Sequence, residues 1–125
     1  MRTQLGIRGS LSQQILAVLD TGADRCLFDD RLALALGVNP YEAGSTQRTT
    51  GIGGTEHVAV MPVELVFPDL DGASWTIMAQ FMRLPDDVGG VLGHAGFLGR
   101  MRASFVRGEF FELSEIKPSE VARRL

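Results

Sequence analysis

The sequence predicts a single all-β domain carrying one or two short helices. Three observations predict it. The chain has 125 residues, enough for one domain and too few for two. Fifteen glycines punctuate short apolar runs, the pattern of a β-rich domain with tight turns. The stretch from His57 to Phe67 is rich in Val and partly alternating, as a strand requires. A hairpin loop, Asp69-Leu70-Asp71-Gly72, separates it from a second strand over Ser74 to Phe81, on whose face Trp75 is expected to pack.

The remaining elements follow in chain order. Ile15 to Leu19 is a short apolar run that reads as a buried strand. Asp29 or Asp30 can cap a short helix over Arg31 to Leu36; Gly37 ends it and Pro40 is expected to prevent its resumption. Thr46 to Gly51 reads as extended, after which Gly51-Ile52-Gly53-Gly54 must turn sharply. A second helix is expected over about His94 to Met101, weakened by Gly96 and Gly99, each costing about 1 kcal/mol relative to alanine. Arg107-Gly108 splits Ala103 to Val106 from Glu109 to Leu113 as a further hairpin. The domain is expected to span residues 1–114, followed by a polar tail over 115–125 with one helical turn after Pro118.

Composition narrows the function. The formal net charge is −3 and the eleven Arg and single Lys are scattered, so no basic face for nucleic acid is expected. No apolar stretch approaches the ~20 residues of a membrane helix, and Met1 to Gly6 lacks the apolar core of a signal peptide, so the expected compartment is the cytoplasm. Cys26 is the one cysteine; it permits no intrachain disulfide and reads as a small buried hydrophobe rather than a nucleophile. His57 and His94 lack metal-ligand spacing with each other or with Cys26, so no metal is expected. Asp86-Asp87 reads as a solvated loop and Arg123-Arg124 as tail charge.

The segment richest in chemistry is Leu16-Ala17-Val18-Leu19-Asp20-Thr21-Gly22-Ala23-Asp24. An apolar run leads straight into an aspartate, and burial would raise its carboxyl pKa, which makes Asp20 a candidate acid or base. Thr21 offers a hydroxyl, and Gly22 permits a backbone approach that a side chain would block.

Asp20-Thr21-Gly22-Ala23 resembles the active-site signature of aspartic proteases, and Asp24 extends it as in the retroviral type. Gly51-Ile52-Gly53-Gly54 is similar to the glycine-rich flap of those enzymes, and Gly90-Val91-Leu92-Gly93 to their second signature, an apolar pair and glycine before a helix. The three motifs stand in family order over roughly Ile15 to Leu98. The resemblance implies a retropepsin-like subunit, closed like a barrel, with a flap hairpin. It implies an endopeptidase needing no cofactor, in which two carboxylates ~3 Å apart share one proton and activate a water, with no covalent intermediate. This chain has one Asp-Thr-Gly, since Asp71-Gly72-Ala73 lacks the threonine, so the second carboxylate is expected from Asp20 of an identical copy.

By the same resemblance, Asp20 is the catalytic acid and base. Thr21 would hydrogen-bond across the dimer beneath the aspartates, and Gly22 would offer its carbonyl to the substrate backbone. Ala23 and Asp24 would border the bound peptide, with Asp24 meeting a substrate amide or a neighbouring cation. Gly51, Ile52 and Gly53 would form the flap tip closing over the peptide, and Leu27 and Val91 would line apolar pockets. The substrate would be an extended peptide or protein segment held largely through its backbone.

Two departures from the family stand out. Where the family carries arginine after the second signature, this chain has His94, so an ion pair with Asp24 would follow pH and the dimer is expected to tighten in mild acid; Arg25 or Arg100 could fill the cationic role instead. A hairpin from Met101 to Leu113 and a tail follow where retroviral enzymes end, a pattern closer to cellular and bacterial relatives. Two rival readings fit the same residues: a catalytically silent peptide-binding or dimerisation module, and a domain that cleaves only its own flanking sequence.

Overall fold

The computed structural model describes residues 1–51, 54–106 and 110–115. Ten strands and two short helices occupy them: β1 (Arg2–Ile7), β2 (Ser10–Leu11), β3 (Ile15–Leu19), β4 (Leu27–Asp29), α1 (Asp30–Ala35), α2 (Pro40–Ala43), β5 (Ser45–Gly51), β6 (Gly54–Phe67), β7 (Ala73–Met82), β8 (Gly90–Leu92), β9 (Met101–Val106) and β10 (Phe110–Glu115). The fold is all-β, as the sequence predicts. Eight strands run in the order β2-β1-β3-β8-β4-β7-β6-β5, and an extra β1–β6 pairing closes six of them into a barrel. Strands β9 and β10 form a separate antiparallel hairpin.

Alternation explains the two longest barrel strands. Along β7, Trp75, Ile77, Ala79 and Phe81 are buried while the residues between them face outward. Strand β6 alternates only in its second half; Val58 to Met61 are all buried, because α2 and its exit pack on the outer face. The approach is close enough that a Cβ on Gly44 would stand 2.2 Å from the Val60 carbonyl oxygen. Strand β6 exchanges partners midway: β5 pairs with it up to Val60 and β1 from Glu64. Pro62, which has no N–H to donate, falls in the gap between them.

Leu5, Leu65, Phe67, Trp75, Leu92 and Phe97 form the centre of the core. The Phe67 ring lies 5.0 Å from Trp75 and 4.9 Å from Phe97, and the Trp75 indole N–H donates to the Gly96 carbonyl at 2.6 Å. The buried polar end of the indole is thus satisfied where its apolar body fills the core.

Helix α1 is built as its sequence suggests. The Asp29 carboxylate accepts from the Arg31 N–H at 2.9 Å, an N-cap. At the other end Gly37 takes φ +80°, and the amides of Gly37 and Val38 donate to the carbonyls of Leu34 and Ala33, a Schellman closure. Asp29 also accepts from the Arg31 guanidinium at 2.6 and 3.0 Å, which holds its carboxyl below the usual range. Asp30, equally buried, accepts from Arg83 at 2.7 Å and from the Tyr41 hydroxyl at 2.9 Å; burial, then this bond, pushes the Tyr41 phenol up to about 12. Asp29→Ala removes a cap and a charge-assisted pair, and is expected to cost about 2–3 kcal/mol in urea unfolding at neutral pH. A folded pKa below the unfolded one gives stability that is present above about pH 4 and lost as pH falls, so wild type and variant should converge in acid. Equal stability at pH 7 would remove this role for Asp29.

Three expectations are corrected. Strand β3 is not buried: Ala17 points inward, but Leu16 is 72% and Val18 55% exposed, on an outer face that no other described residue covers. Pro40 does not hold off a helix but starts α2, with the Asn39 side chain accepting from the Tyr41 N–H at 3.0 Å; proline suits the first helical position, where its missing N–H has no partner to lose. The helix expected over His94 to Met101 is only a 3₁₀ turn at Leu98–Arg100, leading into β9. Gly96 takes φ +105°, outside the right-handed helical region, and a Cβ there would meet the Ile77 side chain at 3.1 Å. The short strands β1, β2, β4 and β8 were not predicted. The hairpin tip at residues 107–109 and the turn expected after Pro118 lie outside the described residues.

Candidate active site

The Asp20 loop leaves the end of β3 and is anchored by β8. These strands pair in parallel, Val18 with Val91 and Leu19 with Leu92, while β4 flanks β8 on its other side through Leu27 and Val91. Strand β8 fits between them because its first residue is glycine: a Cβ on Gly90 would stand 2.5 Å from the Phe28 ring. Gly93, the next glycine, lets the loop close down, since a Cβ there would stand 2.5 Å from the Arg25 carbonyl oxygen and 2.6 Å from that of Ala23.

The loop is then fastened from β8 by backbone bonds. The Asp20 N–H donates to Leu92 at 3.1 Å, the His94 N–H to Ala23 at 3.0 Å and the Ala95 N–H to Asp24 at 2.8 Å. Within the loop, the Gly22 N–H donates to Asp20 Oδ1 at 2.8 Å and the Ala23 N–H to the Asp20 carbonyl at 3.1 Å, a tight turn that orients the carboxylate. Asp20 itself is exposed, not buried as the apolar run before it suggested. Its strand ends at the open edge of a cleft, and the subunit places no lid of its own described residues over it.

That cleft, of about 380 Å³, is lined by Asp20, Ala23, Asp24, Arg25, Leu27, Gln80 and Val91. Five of the site residues expected from the sequence (Asp20, Ala23, Asp24, Leu27 and Val91), and Arg25 with them, therefore line one cleft. Thr21 and Gly22 sit on the exposed outer side of the turn. Gly51 ends β5 opposite Gly54, so a β5–β6 hairpin exists where a flap is expected; its tip, Ile52 and Gly53, lies outside the described residues.

An aspartyl protease family model matches residues 4–95. The chain belongs to the aspartyl protease family. The match covers the Asp20 loop and β8 together, the two segments that the hydrogen bonds above join. A search of curated proteins found no match.

In this aspartyl protease family member, His94 does not pair with Asp24. Its Nε2 donates to the Thr21 carbonyl at 2.7 Å, and among the described residues no ion pair joins it to Asp24. A neutral imidazole with its proton on Nε2 makes that bond as an imidazolium does, so the contact gives no basis for a dimer that tightens in acid. Cys26 is fully buried; burial pushes its thiol up, and Sγ contacts the Ala95 carbonyl at 3.6 Å, an inert packing role. Arg25 and Gln80 were not recognised as lining residues in the sequence. Gln80 reaches the cleft only because β7 pairs in parallel with β4, Gln80 beside Leu27, a register no local signal carries. Among the described residues no group of three potential metal ligands occurs, and no helix is long and apolar enough to cross a membrane.

Proposed function

We propose that the chain is an endopeptidase whose active site forms between two copies, each contributing Asp20 to a pair that shares a proton and activates water. The observation that carries this reading is the Asp20 turn: an exposed carboxylate, oriented by the Gly22 N–H and rigidly tied to β8, standing at the edge of an open cleft. A lone exposed carboxylate is a weak base in water. A second one across a two-fold axis supplies the shared proton and shields both from solvent. One Asp20 then takes a proton from the attacking water while its protonated twin donates to the scissile carbonyl. Thr21, next to the axis, would brace the pair; Gly22, Ala23 and Asp24 would border the peptide backbone; Leu27 and Val91, half-buried on paired strands, would form the apolar floor. Gly51, Ile52 and Gly53 would close over the substrate. Uncovered Leu16 and Val18 on β3 fit a subunit that buries further surface on association.

The test is digestion of an unfolded protein mixture by the purified chain from about pH 4 to about pH 7.5, with a statine-type transition-state analogue as inhibitor. Analogue-sensitive products whose rate rises with the square of dilute protein concentration support the reading. A confirmed dimer that binds peptides and releases no product would overturn it in favour of a silent binding module.

His94 would act as a positioning residue in this scheme, since it holds the turn at Thr21 through its ring and at Ala23 through its amide. His94→Leu is expected to lower kcat about tenfold with little change in KM, because a loosened turn misplaces the reacting carboxylate. His94→Gln, which keeps a side-chain N–H donor, should recover part of the loss. Equal kcat for the two variants would show that the ring bond does not position Asp20.

A further inference from the structure

We propose that Arg25 selects peptides carrying an acidic side chain near the scissile bond, an inference that rests on the peptide-cleaving reading above and names its substrate class. Among the described residues, Arg25 is the one basic side chain lining the Asp20 cleft. It also lines a second cleft of about 400 Å³ on its other side, together with Trp75, Met78, Gly96 and Arg100. The two clefts therefore share Arg25 as a partition.

Three features make this guanidinium a recognition group rather than a structural one. Its backbone is fixed: Arg25 forms a parallel bridge with Ala95, and its carbonyl lies where a Cβ on Gly93 would collide. Its side chain is exposed. Finally, Arg2, Arg31 and Arg83 each hold a carboxylate, whereas among the described residues Arg25 holds none.

The other charges decide which side of Arg25 an acid would take. The first cleft already contains the Asp20 and Asp24 carboxylates, which repel one. Among the described residues no carboxylate lines the second cleft, which the Arg100 guanidinium, stacked 4.6 Å over the Trp75 ring, also borders. An extended peptide turns successive side chains to opposite faces, so one passing Asp20 can direct a flanking Asp or Glu past Arg25 into that second cleft. Charge complementarity of this kind sets preference and register more than total affinity.

The test uses a family of peptides about eight residues long, identical except for Glu, Gln or Lys at each position in turn. Their binding to the Asp20→Asn protein is read by fluorescence anisotropy and their cleavage by the wild type as kcat/KM. At one position Glu is expected to bind and react about fivefold better than Gln, with Lys worst, and the difference should shrink as salt rises. Arg25→Glu should reverse that order, and Arg25→Gln, the milder change, should flatten it. Absence of any position favouring Glu, an order unchanged by both substitutions, or no binding at all overturns the proposal. Binding with an Arg25-dependent order but no cleavage would sustain it while overturning endopeptidase activity; cleavage with no Arg25-dependent order would do the opposite.

Discussion

Mixing the wild-type chain with an excess of Asp20→Asn is expected to silence the wild type, not merely dilute it. Asparagine is nearly isosteric with aspartate and can still accept from the Gly22 N–H, so the turn and its bonds to β8 should persist. What it cannot do is share or exchange a proton. The variant alone should therefore lose at least about 10³-fold in kcat, the scale of losing a general base or acid, while its melting temperature and dimer affinity stay near wild type. In a mixture the subunits exchange, and one asparagine suffices to disable a shared pair. At equal concentrations only about a quarter of the dimers would carry two aspartates. Activity should thus fall to about a quarter of that of wild type alone at the same total concentration, and further with more variant. Activity that instead tracks the wild-type fraction, about one half in the equal mixture, would mean that each subunit works alone, and the two-copy site would be lost as an explanation.

Gly93→Ala should produce a large loss of stability from a single added methyl group. Its Cβ would stand 2.5 and 2.6 Å from two backbone oxygens, which cannot swing aside as a side-chain end would. Relief requires lifting the loop over residues 23–25 away from β8. That would strain or break the bonds from His94 to Ala23 and from Ala95 to Asp24. Overpacking plus two weakened hydrogen bonds comes to about 3–5 kcal/mol, a large part of the 5–15 kcal/mol that holds a typical domain. A thermal melt should show a drop of roughly 10–20 °C. Gly9→Ala is the control: φ is +82° there and nothing lies within 4 Å, so only backbone strain of about 1 kcal/mol is added. A shift for Gly93→Ala no larger than the control's would mean the loop is not seated as described.

The parts of this molecule that were legible in the sequence are those whose determinants are local. Helix α1 carries its cap, Asp29, and its stop, Gly37, within a few residues, and β6 and β7 are long enough to display alternation around a recognisable turn. The Asp20 turn was legible as a motif because its hydrogen bonds join neighbours. Strands β4 and β8 were not: each is three residues long and is held by partners far away in sequence. Gly90 even argues against a strand by propensity, yet it is what allows β8 to slide beneath Phe28. His94 shows the same limit at the site. Its position in the motif was plain, but its ring partner, the Thr21 carbonyl, depends on how the loop folds back. The burial expected for Asp20 failed because an apolar strand can present one face to the core and the other to a surface that association would cover.

The seam that closes the barrel has a consequence for the order in which the protein is made. Strand β1 meets β6 at Gln4 and Val66, Leu5 and Leu65, and Gly6 and Glu64, so it leaves the ribosome about 60 residues ahead of its partner. At about 5–20 residues per second, it waits several seconds with one edge unpaired. Over that interval β2 and β3 can already shelter β1 on its other side, through Gly6 with Leu11 and Thr3 with Ile15. Closure of the seam then joins the earliest and later-made strands in one step, making barrel formation a late, non-local event of the kind that slows folding. Substitutions along those three residue pairs would therefore register in the yield of folded protein during synthesis before they register in the finished enzyme's activity.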